Sequence, residues 1–178
     1  RADSIALFNI AKKAIEEGYV VPTKTVDLNI HIQQNGIDVD CDKVFCINDE
    51  PLYIGEDFKV GHGGSELALE QITIPHPTNE GRVFSGWKLI KGKSYTFDSS
   101  FEVNIPDNCG ASLVGRSSFN RNGILIRSSW YDSGFKGTAG ATIYCFRDLY
   151  IEKGARIAQI ILQEAEASSL YDGQYQKK

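Results

Sequence analysis

The stretch GRSSFNRNGILI, residues 115–126, decides how this chain is read. Arg116, Ser117, Ser118 and Arg121 crowd a turn between two glycines, and Ile124 and Ile126 then open an alternating apolar run. Alternation with period two is the pattern of a half-buried strand. The polar cluster therefore stands at the head of a strand. Guanidinium groups bind phosphate oxygens bidentately, and hydroxyls and turn amides donate to bridging oxygens. Such a turn suits a polyphosphate. A plain surface turn, its arginines paired with some of the chain's 23 acidic residues, has the same composition.

Working outward, the same short alternation recurs. TVDLNIHI (25–32), DKVFCI (42–47), LALEQITI (67–74), RVFSGWKLI (82–90), SYTFDSSFEVNI (94–105), SLVG (112–115), GILIRSSW (123–130), ATIYCF (141–146) and RIAQIIL (156–162) all read as strands. Clusters of Gly, Pro, Asn and Asp divide them, with 17 glycines and five prolines in all. Closely spaced short strands imply an all-β sandwich or barrel. One helix is expected, over residues 3–17: Asp3 or Ser4 caps it, Ile5, Phe8, Ala11 and Ile15 repeat at helical spacing, and Gly18 ends it.

The 178 residues suffice for one domain with a real core, and the chain is read as a single domain over 1–178. A net charge of −4 argues against nonspecific nucleic-acid binding, so an anion site must be built locally from placed arginines. No apolar run reaches the roughly 20 residues of a membrane span, and the N-terminus has no signal-peptide core. A cytoplasmic protein is expected. The sequence begins at Arg1 and contains no Met, so a chain that is trimmed, processed or cut from a longer product is expected as well. Cys41, Cys46, Cys109 and Cys145 match no zinc spacing and read as reduced, buried thiols.

Other stretches carry chemistry. In YDSGFKG (131–137), Asp132 precedes a tight turn and is placed to take a proton from water; a hairpin turn with Asp as its acceptor is the simpler alternative. Phe135 is placed to lie against a sugar. In NGIDVDCDKVF (35–45), Asp38, Asp40 and Asp42 alternate on one strand face. That face either attracts a cation, with one carboxylate in the outer shell of a phosphate-held Mg²⁺, or is simply solvated. In KGARIAQIIL (153–162), Gln159 interrupts an apolar run and needs a partner, either backbone or ligand. GEDFKVGHGGSEL (55–67) reads as a long surface loop with a solvated His62. SSLYDGQYQKK (168–178) reads as a mobile tail whose Tyr171 and Tyr175 can close over something. P-loop, dinucleotide-binding and nucleophile-elbow motifs are absent.

Together, NGIDVDCDKVF, GRSSFNRNGI, YDSGFKG and KGARIAQIIL resemble, in order, the first four motifs of the trimeric dUTPase and dCTP deaminase superfamily. YDGQYQ is similar to the Tyr-Gln tail of the deaminase branch, and the likeness runs from about residue 20 to the end. The resemblance implies a distorted jelly-roll subunit in a homotrimer with active sites shared between subunits. It implies that Arg116, Ser117, Ser118, Arg121 and Gln159 hold a deoxynucleoside triphosphate with Mg²⁺, Asp38 touching the metal through water. Phe135 would press on the deoxyribose, and Tyr171, Tyr175 and Gln176 would close over the nucleotide. Ile126 and Ser128 belong to the segment that reads the base, which departs from the family by being short and by carrying Arg127, Ser128 and Ser129.

The two chemistries of the superfamily need different residues. Splitting the triphosphate needs a water-activating carboxylate, a role similar to that of Asp132. Deamination needs a Glu ten residues later, where this chain has Thr142. Threonine does not move protons at neutral pH as a carboxylate does. The sequence is thus read as a dUTP diphosphatase. A dCTP deaminase or dCTP-hydrolysing relative, or an inactive nucleotide-binding or docking relative, are the alternatives.

Overall fold

The computed structural model describes residues 11–61 and 63–177. Its strands, in chain order, are β1 (Val20–Pro22), β2 (Ile37–Asp40), β3 (Lys43–Ile47), β4 (Tyr53–Ile54), β5 (Lys59–Val60), β6 (Gly64–Glu66) and β7 (Glu70–Thr73). The series continues with β8 (Val83–Leu89), β9 (Ser94–Asn104), β10 (Cys109–Gly115), β11 (Ile124–Arg127), β12 (Lys136–Cys145), β13 (Leu149–Glu152) and β14 (Arg156–Glu164). Two curled antiparallel sheets and a small hairpin result. The large sheet runs β2-β14-β10-β11-β12-β9-β3-β6, with β1 on β9; the small one runs β13-β8-β7, and β4 pairs β5. This is the distorted jelly-roll expected.

The longest strand shows why the chain folds so. In SYTFDSSFEVN, Tyr95, Phe97, Phe101 and Val103 turn inward, while Thr96 and Asp98 stay partly exposed. The inward set packs on Ala139, Ile143 and Cys145 of β12, and the core continues through Leu113, Ile157, Ile160, Ile37 and Val39. Asp40 is buried there but fully partnered: it accepts from Ser99 Oγ at 2.7 Å, Ser100 N at 2.8 Å and Ser100 Oγ at 2.8 Å, tying β2 to β9. A buried carboxylate with three donors costs far less than a lone one.

Several expectations change. Residues 25–32 are not a strand: Leu28–His31 form one helical turn, with the Asp27 carboxylate accepting from Asn29 N at 3.0 Å. Four alternating apolar residues are too few to separate the two periods, and the Asx cap decides. Within 67–74 only Glu70–Thr73 pair, and Leu149–Glu152 form a strand on β8 that the sequence reading missed. The 55–67 segment is largely exposed, yet it holds β5 and β6; His62 lies outside the described residues. Residues 11–16 are helical as expected, whereas Asp3, Ser4, Ile5 and Phe8 lie outside the described residues. Of the cysteines, Cys41 and Cys145 are buried and Cys46 and Cys109 half-buried, all free. Burial pushes the Cys41 thiol up to about 12.

Candidate active site

DSGF, residues 132–135, builds a type II turn. Phe135 N donates to Asp132 O at 3.0 Å, and Gly134 sits at φ +82° in the third position, where only glycine is unstrained. The Asp132 carbonyl, not its carboxylate, closes this turn. The side chain is left exposed at the mouth of a cleft of about 660 Å³. Phe135 enters the same cleft but is 8% exposed, its ring stacked on Tyr131 and met edge-on by Tyr171, both at 5.3 Å between centroids. Tyr131 OH donates to Gly140 O at 2.7 Å and accepts from Gly140 N at 3.0 Å, so the stack is keyed to β12.

The tail is docked rather than loose. Tyr171 N donates to Ser133 O at 2.8 Å, and Lys177 N donates to Lys136 O at 2.9 Å. Gln176 holds both sides of the turn: its Oε1 accepts from Lys136 N at 2.9 Å and its Nε2 donates to Gly134 O at 3.0 Å. Composition suggested mobility because polar residues have little to bury. These backbone and amide bonds to the turn supply the anchoring instead. Tyr171 and Tyr175 line the cleft.

The arginine turn lies elsewhere. Ser117–Asn120 make one helical turn after Arg116, and Ser117, Ser118 and Arg121 are exposed. Ser118 borders a separate hollow with Phe119, Asn122 and Arg147. Antiparallel pairing sets β14 between β2 and β10, placing Gln159 opposite both Asp38 and Val114. Asp38, 2% exposed, is consequently surrounded: Arg116 Nε lies 3.3 Å and Arg156 Nη1 3.1 Å from Oδ2, and Gln159 Nε2 donates to Oδ1 at 3.2 Å. Arg116 Nη1 also donates to Arg156 O at 3.1 Å. The acidic triplet is therefore no solvated face. Asp38 and Asp40 are buried on separate partner sets, and Asp42 pairs with Lys24 at 2.6 Å and Lys153 at 3.4 Å. Burial pushes Asp42 up, but the two ammonium groups outweigh it and hold the carboxyl below its usual range. The partner that Gln159 required is a carboxylate, neither of the two anticipated.

Of the residues singled out from sequence, one chain thus brings together Asp132, Ser128, Phe135, Tyr171 and Tyr175 in the cleft, with Gln176 latching the tail. Arg116, Ser117, Ser118, Arg121, Gln159 and Asp38 do not line it. Ile126 is buried in the core and pairs with Ile143 of β12, so its side chain does not reach the cleft. Ser128 Oγ is spent on structure, accepting from Leu113 N at 2.7 Å and donating to Ser129 O at 2.6 Å. Sequence reasoning missed Arg156, Tyr131 and Asp98, the last being a second carboxylate in the cleft. The outward alternation of Thr96 and Asp98 was the available signal.

Among the described residues no group of three or more His, Cys, Asp or Glu is arranged to hold a metal. Both Asp38 oxygens already accept from guanidinium or amide donors. The residues present do not fit a protein-held Mg²⁺. No described helix is long and apolar enough to cross a membrane.

Comparison with known proteins gives the family. The family model for dCTP deaminase-like proteins matches residues 9–165, and the chain belongs to that family. A probable deoxyuridine 5′-triphosphate nucleotidohydrolase of Halobacterium salinarum is 28% identical over 145 residues, covering 82% of each chain. The dUMP-forming dCTP deaminase of a Sulfurihydrogenibium species is 29% identical over 171 residues, covering 93% of this chain and 87% of that one. Among solved structures, the 2′-deoxycytidine 5′-triphosphate deaminase of Agrobacterium tumefaciens shares the fold with a TM-score of 0.62 at 15% identity. That match covers 86% of this chain and 46% of that chain.

Proposed function

We propose that the protein hydrolyses dUTP to dUMP and diphosphate. The observation that carries this reading is the content of the cleft. The position for a water-activating carboxylate is filled by exposed Asp132, and the position ten residues on, where deamination would need a carboxylate, holds exposed Thr142. Asp132 takes a proton from water, whose oxygen bonds to the α-phosphorus while the bond from that phosphorus to the bridging oxygen breaks. Arg116 and Arg121, with Ser117 and Ser118, neutralise charge growing on the phosphates. Because these residues and Asp132 occupy different surfaces of one chain, the working site joins two copies, in the homotrimer that the family likeness implies. Triphosphate oxygens and water, rather than protein ligands, would hold any Mg²⁺, which would supply neutralisation of phosphate charge. Phe135 sets the deoxyribose face, and the Tyr171–Gln176 strap covers it.

A panel of deoxynucleoside triphosphates assayed for diphosphate and ammonia together tests the reading. Diphosphate from dUTP without ammonia from dCTP is expected. Ammonia from dCTP would move the protein to the deaminase chemistry of its Sulfurihydrogenibium relative, and tight nucleotide binding with neither product would make it a binding protein.

A further inference from the structure

Asp98 has no part in the chemistry above, yet it stands on the cleft floor. Strand register fixes its surroundings. Arg127 of β11 faces Thr142 of β12, which faces Thr96 of β9, and these three residues line the cleft in one row. Asp98 is two residues along β9 on the same face, opposite Gly140, at a bulge in β12. A Cβ placed on Gly140 would come within 3.2 Å of Asp98 Oδ1, so the carboxylate leans over β12 into room that only glycine leaves. The charged groups around it are Lys43 on β3, Asp42 before that strand and Glu66 on β6, together with Tyr131 beneath the cleft. None of them lies within ion-pair distance among the described residues, so the acceptor oxygens of Asp98 remain available to the cleft.

The backbone of the neighbouring segment 128–131 is partly spent. Ser128 N donates to Leu113 O at 3.4 Å, Tyr131 N donates to Ala111 O at 2.6 Å, and Ala111 N returns a bond to Tyr131 O at 3.0 Å. A base entering this cleft meets side chains as well as the remaining backbone groups: a carboxylate, a guanidinium and two threonine hydroxyls.

We propose that Asp98 is the specificity-determining residue of the cleft, its carboxylate accepting the ring N3–H of a 4-oxo pyrimidine while Arg127 donates to a flanking carbonyl. This deepens, and rests on, the reading as a dUTP hydrolase. An ionised carboxylate offers acceptors only. Uracil presents a donor at N3 between two carbonyl acceptors, which the guanidinium and the threonine hydroxyls satisfy. Cytosine presents a lone pair at N3, which an ionised carboxylate repels. Selection thus comes from a mismatch imposed on the wrong base as well as a bond made to the right one.

The test compares kcat/KM for dUTP and dCTP, and calorimetric binding of α,β-imido-dUTP and α,β-imido-dCTP, in the full chain, Asp98→Asn and Asp98→Ala. Asparagine is isosteric and can donate to the cytosine N3. Its dUTP-over-dCTP preference is expected to fall roughly ten- to hundredfold, the range for a hydrogen bond to a charged group, and the change should fall on KM. Arg116→Ala should weaken both nucleotides equally. A preference within twofold of the parent in both Asp98 variants overturns the proposal and leaves the hydrolase reading standing. Binding selectivity that depends on Asp98 in a chain that hydrolyses neither nucleotide supports the proposal and removes the hydrolase reading. A chain that binds neither imido nucleotide overturns both.

Discussion

The arginine cluster and the aromatic cleft solve opposite problems in one chain. Around Asp38 the charges are already satisfied: two guanidinium groups and an amide converge on one buried carboxylate. In the cleft, Asp132 is exposed and Phe135 is covered by Tyr131 and by Tyr171 of the strap. The cluster holds two positive charges against one negative, so it keeps a net attraction for anions while its arginines are fixed in place by Asp38. Preorganised donors of this kind need little rearrangement when charge arrives. The cleft has the exposed carboxylate of Asp132 but neither arginine of the cluster. On the proposed reading each region is half of a nucleotide site, and the difference teaches that one copy of the chain would be incomplete.

The largest expected effect breaks the two halves apart and recombines them. Asp132→Asn should lose about 10²–10⁴-fold in turnover, the span for a general base, while still binding α,β-imido-dUTP. Arg116→Ala should lose binding; Arg156 and Gln159 remain on Asp38, which limits the damage to the fold. Neither variant alone should work. If sites are shared between copies, unfolding and co-refolding the two in equal amounts should restore about a quarter of parental activity, because each site draws its carboxylate and its arginine independently from mixed pools. Unrestored activity in the mixture would place both groups in a single chain's site and defeat the shared-site reading.

A smaller effect is confined to the cleft. Gly134 has φ +82°, and an added Cβ would meet Leu170 Cβ at 3.0 Å and Tyr171 N at 3.4 Å. Gly134→Ala should therefore cost about 1–2 kcal/mol and lower the melting temperature by a few degrees. It should also free the strap, seen as faster cleavage between residues 165 and 177 under limited proteolysis. The Asp38 cluster uses none of these atoms. Intact strap protection in a normally melting variant would mean that the turn and the tail are not coupled.

The two regions were also unequally legible. DSGF reads directly as a turn because Gly134 must take a positive φ that other residues avoid, and the alternation in SYTFDSSFEVN marks β9. The cluster was only half visible. Arg116 and Gln159 announce themselves, but Asp38 joins Arg156 across 118 positions and Gln159 across 121, contacts that only the β2-β14-β10 register creates. Local patterning carries no record of such pairing. The tail was misjudged for a related reason: its anchoring comes from backbone groups of Ser133, Gly134 and Lys136, which composition does not weigh. Asp98 was passed over because one acid on an outward strand position looks like any solvated residue until Gly140 is set opposite it.

The smallest effect concerns stability at that same residue. Burial raises the Asp98 carboxyl above its usual value, Lys43 opposing and Glu66 and Asp42 adding to the rise. The folded chain then holds this proton more tightly than the unfolded chain does. Stability should accordingly fall as pH climbs from the ordinary carboxyl value of 3.8 through the raised one, and stay reduced above it. This is opposite to Asp42, whose lowered carboxyl stabilises the fold at neutral pH and loses that contribution on acidification. Asp98→Asn removes the charge and keeps the shape, so it should melt above the parent at pH 7, with the gap closing as pH is lowered toward 3.8. A carboxylate kept at a cost to the fold is what a binding role for Asp98 requires. A variant that melts below the parent at pH 7 would instead make Asp98 a structural partner of Lys43, and would remove the reason to look for a ligand there.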